Sequence, residues 1–350
     1  MELPLEFPVS PMLAKAVATV PEPDSVRGGL SYEPKWDGFR GILAYDGTDV
    51  EIGSRGSKPL TRYFPELTDA ARRLLPGPCV IDGEIIVRRG TRGAERLDWE
   101  ALSQRIHPAA SRVQKLSVET PASFVAFDLL ALDDESYLDR PFRERRAVLE
   151  SLAGSLTPPF HLSQTTTDVD LARRWLKEFE GAGLDGVVAK PLEGAYAPGK
   201  RTMLKVKHHR TADVVLTGYR VHTSGRGVGS LLLGLYDDED HLRNVGGASA
   251  FSNARRLELV EELEPYVLRG DDGEAVTGEG ERSRFSASKD VSFVRLRPEL
   301  VAEVRYDQME GSRFRHTVQF DRWRPDREPR SCRFAQLDVP AAYDLSDVLL

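Results

Sequence analysis

Cysteine is nearly absent: the 350 residues contain two, Cys79 and Cys332. Two thiols cannot build a disulfide framework or a four-cysteine zinc site. Their scarcity fits a reducing cytoplasm, which is the expected location. Long apolar runs are missing as well. The longest, such as VVLTGY and LLLGLY, are the length of strands, so no transmembrane helix is expected. The opening MELPLEFPVSPMLAKAVATV has no basic leader and is interrupted by prolines, which argues against a signal peptide. A basic charge balance is also lacking. The formal net charge is -7, whereas a basic domain is the usual mark of a nucleic-acid binder.

What is present is charge that is unevenly spread. GKRTMLKVKHHR (199–210) contains no acid, and SRFRHTVQFDRWRPDREPR (312–330) is rich in arginine. The acids gather elsewhere, in DDED (237–240) and EELE (261–264). Basic faces on an acidic body fit this pattern, and so does a rim of solvated arginines. The length suits roughly two domains.

Short β-rich runs alternate with isolated helices, without a regular βαβ rhythm. LSYEPKW, GILAYDG and VEIGSR read as successive strands with Gly or Asp-Gly turns. CVIDGEIIV reads as a strand with a bend at its glycine, and SFVAFDLLAL, DGVVAK and MLKVK as further strands. PELTDAARRLL, LDWEALSQRI, PFRERRAVLESL and VDLARRWLKEFEGAG read as helices. Past His208 the pattern changes. ADVVLTGYRV, SLLLGLYD, HLRNVGG, VSFVRLRP and LVAEVRYD are spaced strands, with one helix in NARRLELVEELEPY. That composition suggests a small barrel of the oligonucleotide/oligosaccharide-binding (OB) type. HHRTAD is the candidate hinge, giving domains 1–209 and 210–350.

Several residues are candidates for chemistry. In EPKWDGFR (33–40), Lys35 sits among Pro34, Trp36 and Phe39. A lysine becomes a nucleophile when desolvation or nearby cations favour its neutral amine. Arg40 offers a planar donor fork for ribose or phosphate oxygens. A polar hairpin is the alternative. In DGE (82–84), Glu84 suits a ribose hydroxyl or a hard metal ion, or else a turn at a sheet edge. Phe127 can stack on a base or fill the core. Lys205 and Lys207 fall on one face of a strand by period two, and repel unless an anion or solvent lies between them. RHTVQFDRWRPD (315–326) sets cations around Phe320 and Trp323. SGRGVGS (224–230) lacks the strand–helix context of a dinucleotide fingerprint and reads as a loop. The basic, glycine-containing loop RRGTRGAERLDW (88–99) is a candidate contact for a nucleic-acid groove, or a solvated loop.

Together these stretches resemble the covalent nucleotidyltransferases, and among them the ATP-dependent DNA ligases of the small two-domain bacterial C type. KWDGFR, Ser54-Arg55, DGE, FDLL, DGVVAK and LKVK match the family motifs in order, RHTVQFDRWRPD the terminal one, and PMLA (11–14) the ligase start. Two positions depart from the pattern: Asp185 stands where many members have glutamate, and Met203 where many have tryptophan. The resemblance implies an α+β protein: an antiparallel-sheet, ATP-grasp-like nucleotidyltransferase domain followed by an all-β OB-fold barrel with one helix. It implies sealing of 5′-phosphate/3′-hydroxyl nicks through a covalent Lys35–AMP, using ATP and Mg²⁺ (or Mn²⁺). Glu33 is then expected at the adenine edge and Phe127 on the ring. Arg40, Arg55 and Glu84 hold ribose or phosphate, and Arg201 joins the nucleotide-binding set. Asp37, Glu84 and Asp185 lie near the metal. Lys190, Lys205 and Lys207 neutralise phosphates, and Arg322 and Arg324 orient pyrophosphate. The implied partners are nicked duplex DNA and end-binding or repair-polymerase proteins, for a monomer away from membranes. An RNA ligase, a GTP-using capping-type enzyme and a non-catalytic nucleic-acid-binding module are the alternatives. An NAD-dependent ligase is disfavoured because a four-cysteine zinc module is lacking.

Overall fold

The computed structural model describes residues 2–56, 58–91, 93–208, 210–280, 291–337 and 341–349. It divides into two compact units, Met1–Lys207 with Pro340–Leu350, and His208–Val339. The expected boundary near residue 210 falls within three residues of this division. The C-terminal stretch corrects the expectation: it belongs with the first unit, because Leu345 and Val348 fill that unit's core at 0% exposure.

The first unit has two sheets. The larger runs in the order Val50–Ser54, Phe39–Tyr45, Cys79–Arg89, Ala122–Leu132, Glu135–Ser136, with Arg96–Leu97 and Phe160–Leu162 attached. The smaller runs Leu13–Ala16, Arg201–Val206, Val187–Pro191, Leu30–Pro34. Pairing is antiparallel except for Leu13–Ala16 on Arg201–Val206 and Phe160–Leu162 on Ala122–Leu132. Period-two alternation sorts the residues of Phe39–Tyr45. Leu43 and Tyr45 join the core with the helix Pro65–Leu74, while Ile42 and Ala44 meet Met12, Tyr196 and Met203 between the sheets. Met203, at the departure from the family pattern, is thus a buried packing residue. The bend expected at DGE is a register shift at Asp82/Gly83 against the neighbouring strand.

The helices have readable ends. Pro65 opens Pro65–Leu74 at its first position. Asp168 caps Val169–Glu178 by accepting from Asp170 N and Leu171 N. Among the described residues no helix is long and apolar enough to cross a membrane.

In the second unit the strand Arg210–Val221 is the spine. Its first half pairs with Val301–Tyr306, its second with Ser292–Arg295, and Val228–Tyr236 covers its other edge. A register shift at Leu216/Gly218 lets one strand serve both halves of the barrel. The helix Asn253–Leu263 begins where Ser252 Oγ accepts from Arg255 N. The terminal motif holds the strand Gln319–Trp323, paired with Val301–Tyr306, which the sequence reading did not identify as a strand.

One buried ion pair connects these layers near the site. Arg145 donates to both oxygens of Asp128 (2.8 and 2.9 Å) and to Arg140 O and Gly194 O (2.6 and 2.9 Å). It therefore ties the Phe127 strand to the helix Phe142–Ser151 and to the loop that carries Tyr196. Arg145→Ala leaves Asp128 charged and buried without its partner, and is expected to destabilise the first unit by about 3–5 kcal/mol in urea unfolding. A change below about 1 kcal/mol would show that the pair is not structural.

Candidate active site

Lys35 leaves the strand Leu30–Pro34 with both ends of its peptide engaged. Its N–H donates to Gly186 O (2.8 Å), and its carbonyl accepts from Asp185 N (3.0 Å). Gly186 has a φ of 135°. A Cβ there would lie 1.9 Å from Val206 O, so glycine is needed for the strands to come this close. The close approach brings a carboxylate to the lysine. Lys35 Nζ donates to Asp185 Oδ2 at 2.6 Å, and Lys207 Nζ lies 2.9 Å from the same oxygen. Burial alone would raise the Asp185 pKa, but the charges of Lys35 and Lys207 outweigh it and hold the carboxyl below its usual range. Lys205 completes the cluster. Desolvation, then Lys35 and Lys207, lower its pKa.

Glu33, Lys35, Arg40, Arg55, Glu84, Phe127, Lys190, Arg201 and Lys205 line one cavity of about 380 Å³. The PMLA residues Pro11, Met12, Leu13 and Ala14 form part of its wall. Asp185 and Lys207 stand just outside, joined to it through Lys35. Asp37, expected near a metal, is not among the lining residues. Arg322 and Arg324 lie in the second unit.

Arg40 is already engaged. Its Nε and Nη2 donate to the two oxygens of Asp82 (2.5 and 2.6 Å), and its guanidinium lies 4.4 Å from the centre of the Phe127 ring. Tyr196 Oη donates to Asp82 Oδ2 at 2.6 Å and accepts from Met12 N at 3.0 Å. Asp82 and Tyr196 are thus site residues that the sequence reading missed. The signal for Asp82 was present in DGE, but Tyr196 lies in a loop with no periodic pattern. Glu84 Oε1 accepts from Gly38 N at 3.1 Å. A Cβ on Gly38 would lie 2.1 Å from Ile85 O, so this turn also needs glycine.

Lys190 corrects its expectation as a phosphate neutraliser. It is 2% exposed. Its Nζ lies 2.8 Å from Glu33 Oε1, donates to Phe127 O at 3.0 Å and sits 4.7 Å from the Phe127 ring centre. A buried ammonium needs such a counter-charge. Its charge is therefore committed to the Glu33 and Phe127 end of the cavity. Arg324 departs similarly. It donates to Asp326 and Asp213 (2.8–2.9 Å) and braces the barrel, whereas Arg322, bound to Glu303 at 2.7 Å, remains largely exposed. The loop 88–99 carries the pairs Arg88–Glu95 and Arg89–Asp98 (3.4 and 3.9 Å) beside a separate groove of about 520 Å³. None of the candidate site residues lines that groove.

Residues 11–207 match the family model described as the ATP dependent DNA ligase domain, and residues 224–327 match the ATP dependent DNA ligase C terminal region. The first match alone covers more than half of the chain. The chain belongs to the ATP-dependent DNA ligases. It is 56% identical to DNA ligase C2 of Mycolicibacterium smegmatis, over 97% of each chain. It is 55% identical to DNA ligase C of Mycobacterium tuberculosis, over 100% of this chain and 99% of that one. A solved Lig E DNA ligase shares the fold at a TM-score of 0.56 and 17% identity, over 90% of this chain and 99% of the other. The ligase uses ATP to seal nicks in DNA. The RNA-ligase, capping-type and non-catalytic alternatives therefore fall away.

The environment of Glu84 gives the ligase a pH signature. Burial, offset by Arg40 and Lys35, pushes the Glu84 pKa from 4.5 up to about 7. The folded state then holds this proton more tightly than the unfolded chain does. The stability linked to it is complete below about pH 4.5 and is lost as the pH rises through about 7. Calorimetric melting of Glu84→Gln is expected to show a smaller fall in Tm between pH 5 and 8 than the parent. Parallel curves would refute the shift.

Proposed function

We propose that Lys35 is the nucleophile of this ligase. The observation that carries the reading is the pairing of Lys35 and Lys207 with Asp185, at the wall of a cavity that also holds Lys205, Phe127 and Arg40. Two ammonium groups on one carboxylate, with Lys205 near enough to feel both, leave an excess of positive charge, which a nucleotide's phosphates would neutralise.

In this reading Lys35 Nζ attacks the α-phosphorus of ATP. A P–N bond forms, the bond to the bridging oxygen breaks, and pyrophosphate leaves. The amine must shed a proton, and Asp185, 2.6 Å away, is its nearest acceptor. Phosphoryl transfer depends chiefly on positioning and charge neutralisation, which Lys205 and Lys207 supply. AMP passes from Lys35 to the 5′-phosphate at a nick, and the 3′-hydroxyl then displaces it. The adenine is assigned to the end of the cavity where Glu33, Lys190 and Phe127 meet, and the exposed Arg55 and Arg201 to the phosphates. Arg322 is assigned to the leaving pyrophosphate.

The same reading includes a divalent cation. Glu84 and Asp185 are hard oxygen donors within electrostatic reach of Lys35, which suits Mg²⁺ or Mn²⁺. Asp82 does not suit it, because Arg40 and Tyr196 occupy its oxygens. Bound there, such an ion would neutralise charge developing on the phosphates. Nicks left in duplex DNA by repair are the proposed substrate.

Incubation with α-labelled ATP and Mg²⁺ is expected to label the parent covalently and to leave Lys35→Ala unlabelled. Label retained by Lys35→Ala would end the assignment. Lys205→Ala is expected to slow labelling by about 10²-fold, the usual effect of removing one charge-stabilising group. An unchanged rate would remove Lys205 from the phosphate site.

A further inference from the structure

The segment after the barrel returns to the first unit and reaches the residue next to Lys35. Leu345 and Val348, both at 0% exposure, pack in the cluster that contains Trp36, Phe127, Trp175 and Phe179. The Tyr343 ring lies 5.0 Å from that of Phe179. Leu345 N donates to Glu95 O (2.9 Å), and Gln164 Nε2 donates to Asp347 O (2.9 Å). Leu349 forms a β-bridge with Ser163.

Ser163 is the junction. It is fully buried, and its Oγ accepts from Trp36 Nε1 at 2.9 Å. Its carbonyl accepts from Arg146 Nη2 at 2.7 Å. A continuous series of contacts therefore runs from Leu349 through Ser163 to the Trp36 indole. The peptide before Trp36 is Lys35, whose own backbone is held by Asp185 and Gly186. Trp36 is thus gripped from the segment's side, and Lys35 from the strand's side.

We propose that Tyr343–Leu349 is a positioning element for the nucleophile, fixing Lys35 through Ser163 and Trp36. The proposal rests on the assignment of Lys35 given above. The chemistry limits which steps depend on it. Self-adenylation needs the Lys35 amine aimed at a phosphorus, and small misplacements of a reacting group slow such steps steeply. Sealing of a nick that already carries AMP on its 5′-phosphate requires no attack by Lys35.

The test uses the full chain and two reactions: single-turnover labelling from α-labelled ATP, and sealing of pre-adenylated nicked DNA. Leu345→Asp places a charge in the core and releases the segment, and Leu345→Met is the conservative control. Ser163→Ala removes the acceptor of the indole. Leu345→Asp and Ser163→Ala are each expected to slow labelling by about tenfold or more. Half-saturating ATP and adenylated-nick sealing are expected to stay within about twofold, and the double variant to be no slower than the slower single one. Leu345→Met is expected to label like the parent. Equal loss in both reactions, or no loss in either, overturns the proposal. If Leu345→Asp does not fold, Ser163→Ala combined with Gln164→Ala is judged by the same criteria. Lys35→Ala, run alongside, separates the two ideas. Its labelling would refute the nucleophile itself, whereas an unlabelled Lys35→Ala with fully active segment variants would refute only the positioning role.

Discussion

The site depends on one carboxylate shared by two ammonium groups. Asp185 is 7% exposed, and a carboxylate so far from water is costly unless cations compensate it. Lys35 and Lys207 provide that compensation from two different strand ends. The same contacts that make the buried acid tolerable hold the Lys35 amine at the cavity wall. Remove either lysine and the balance of the others changes, because Lys205 senses both of them and Asp185.

The same logic sorts the other acids of the cavity. Asp82 is satisfied by Arg40 and Tyr196, and Glu33 lies against Lys190. These pairs are architectural, and they fix the two cations beside the Phe127 ring. Glu84 differs. It accepts a backbone N–H, and its pKa lies near 7. A carboxyl group that is neither fully paired nor far from its titration point can change partners when charge enters the cavity.

Much of this was legible in the sequence, for physical reasons. Period-two alternation exposed the core strands, and the glycine of DGE marked a bend between two carboxylates. Ordered motifs then assembled most of the residues that line the cavity. What stayed hidden depends on long-range pairing. The engagement of Lys190 with Glu33 follows from the register of Val187–Pro191 on Leu30–Pro34, which no local pattern encodes. Tyr196 reaches Asp82 across 114 residues from an irregular loop. The C-terminal return was misplaced because a short apolar spacing, Leu345 to Val348, says which side is buried but not against what.

The departure at position 185 shows how backbone and side chain trade off. Aspartate is one methylene shorter than the glutamate of the family pattern, which shortens its reach. The structure resolves this through the backbone. Gly186, at a φ of 135°, brings the strand so near Val206 that Lys207 begins within reach of the shorter carboxylate. The direct pairing of the Lys35 peptide with Asp185 and Gly186 does the same on the other side. A longer acid on this backbone would have to fold back, at a cost in side-chain entropy, or displace one of the two ammonium groups. The shorter residue and the close backbone are therefore one solution, and the position of Lys35 follows from both.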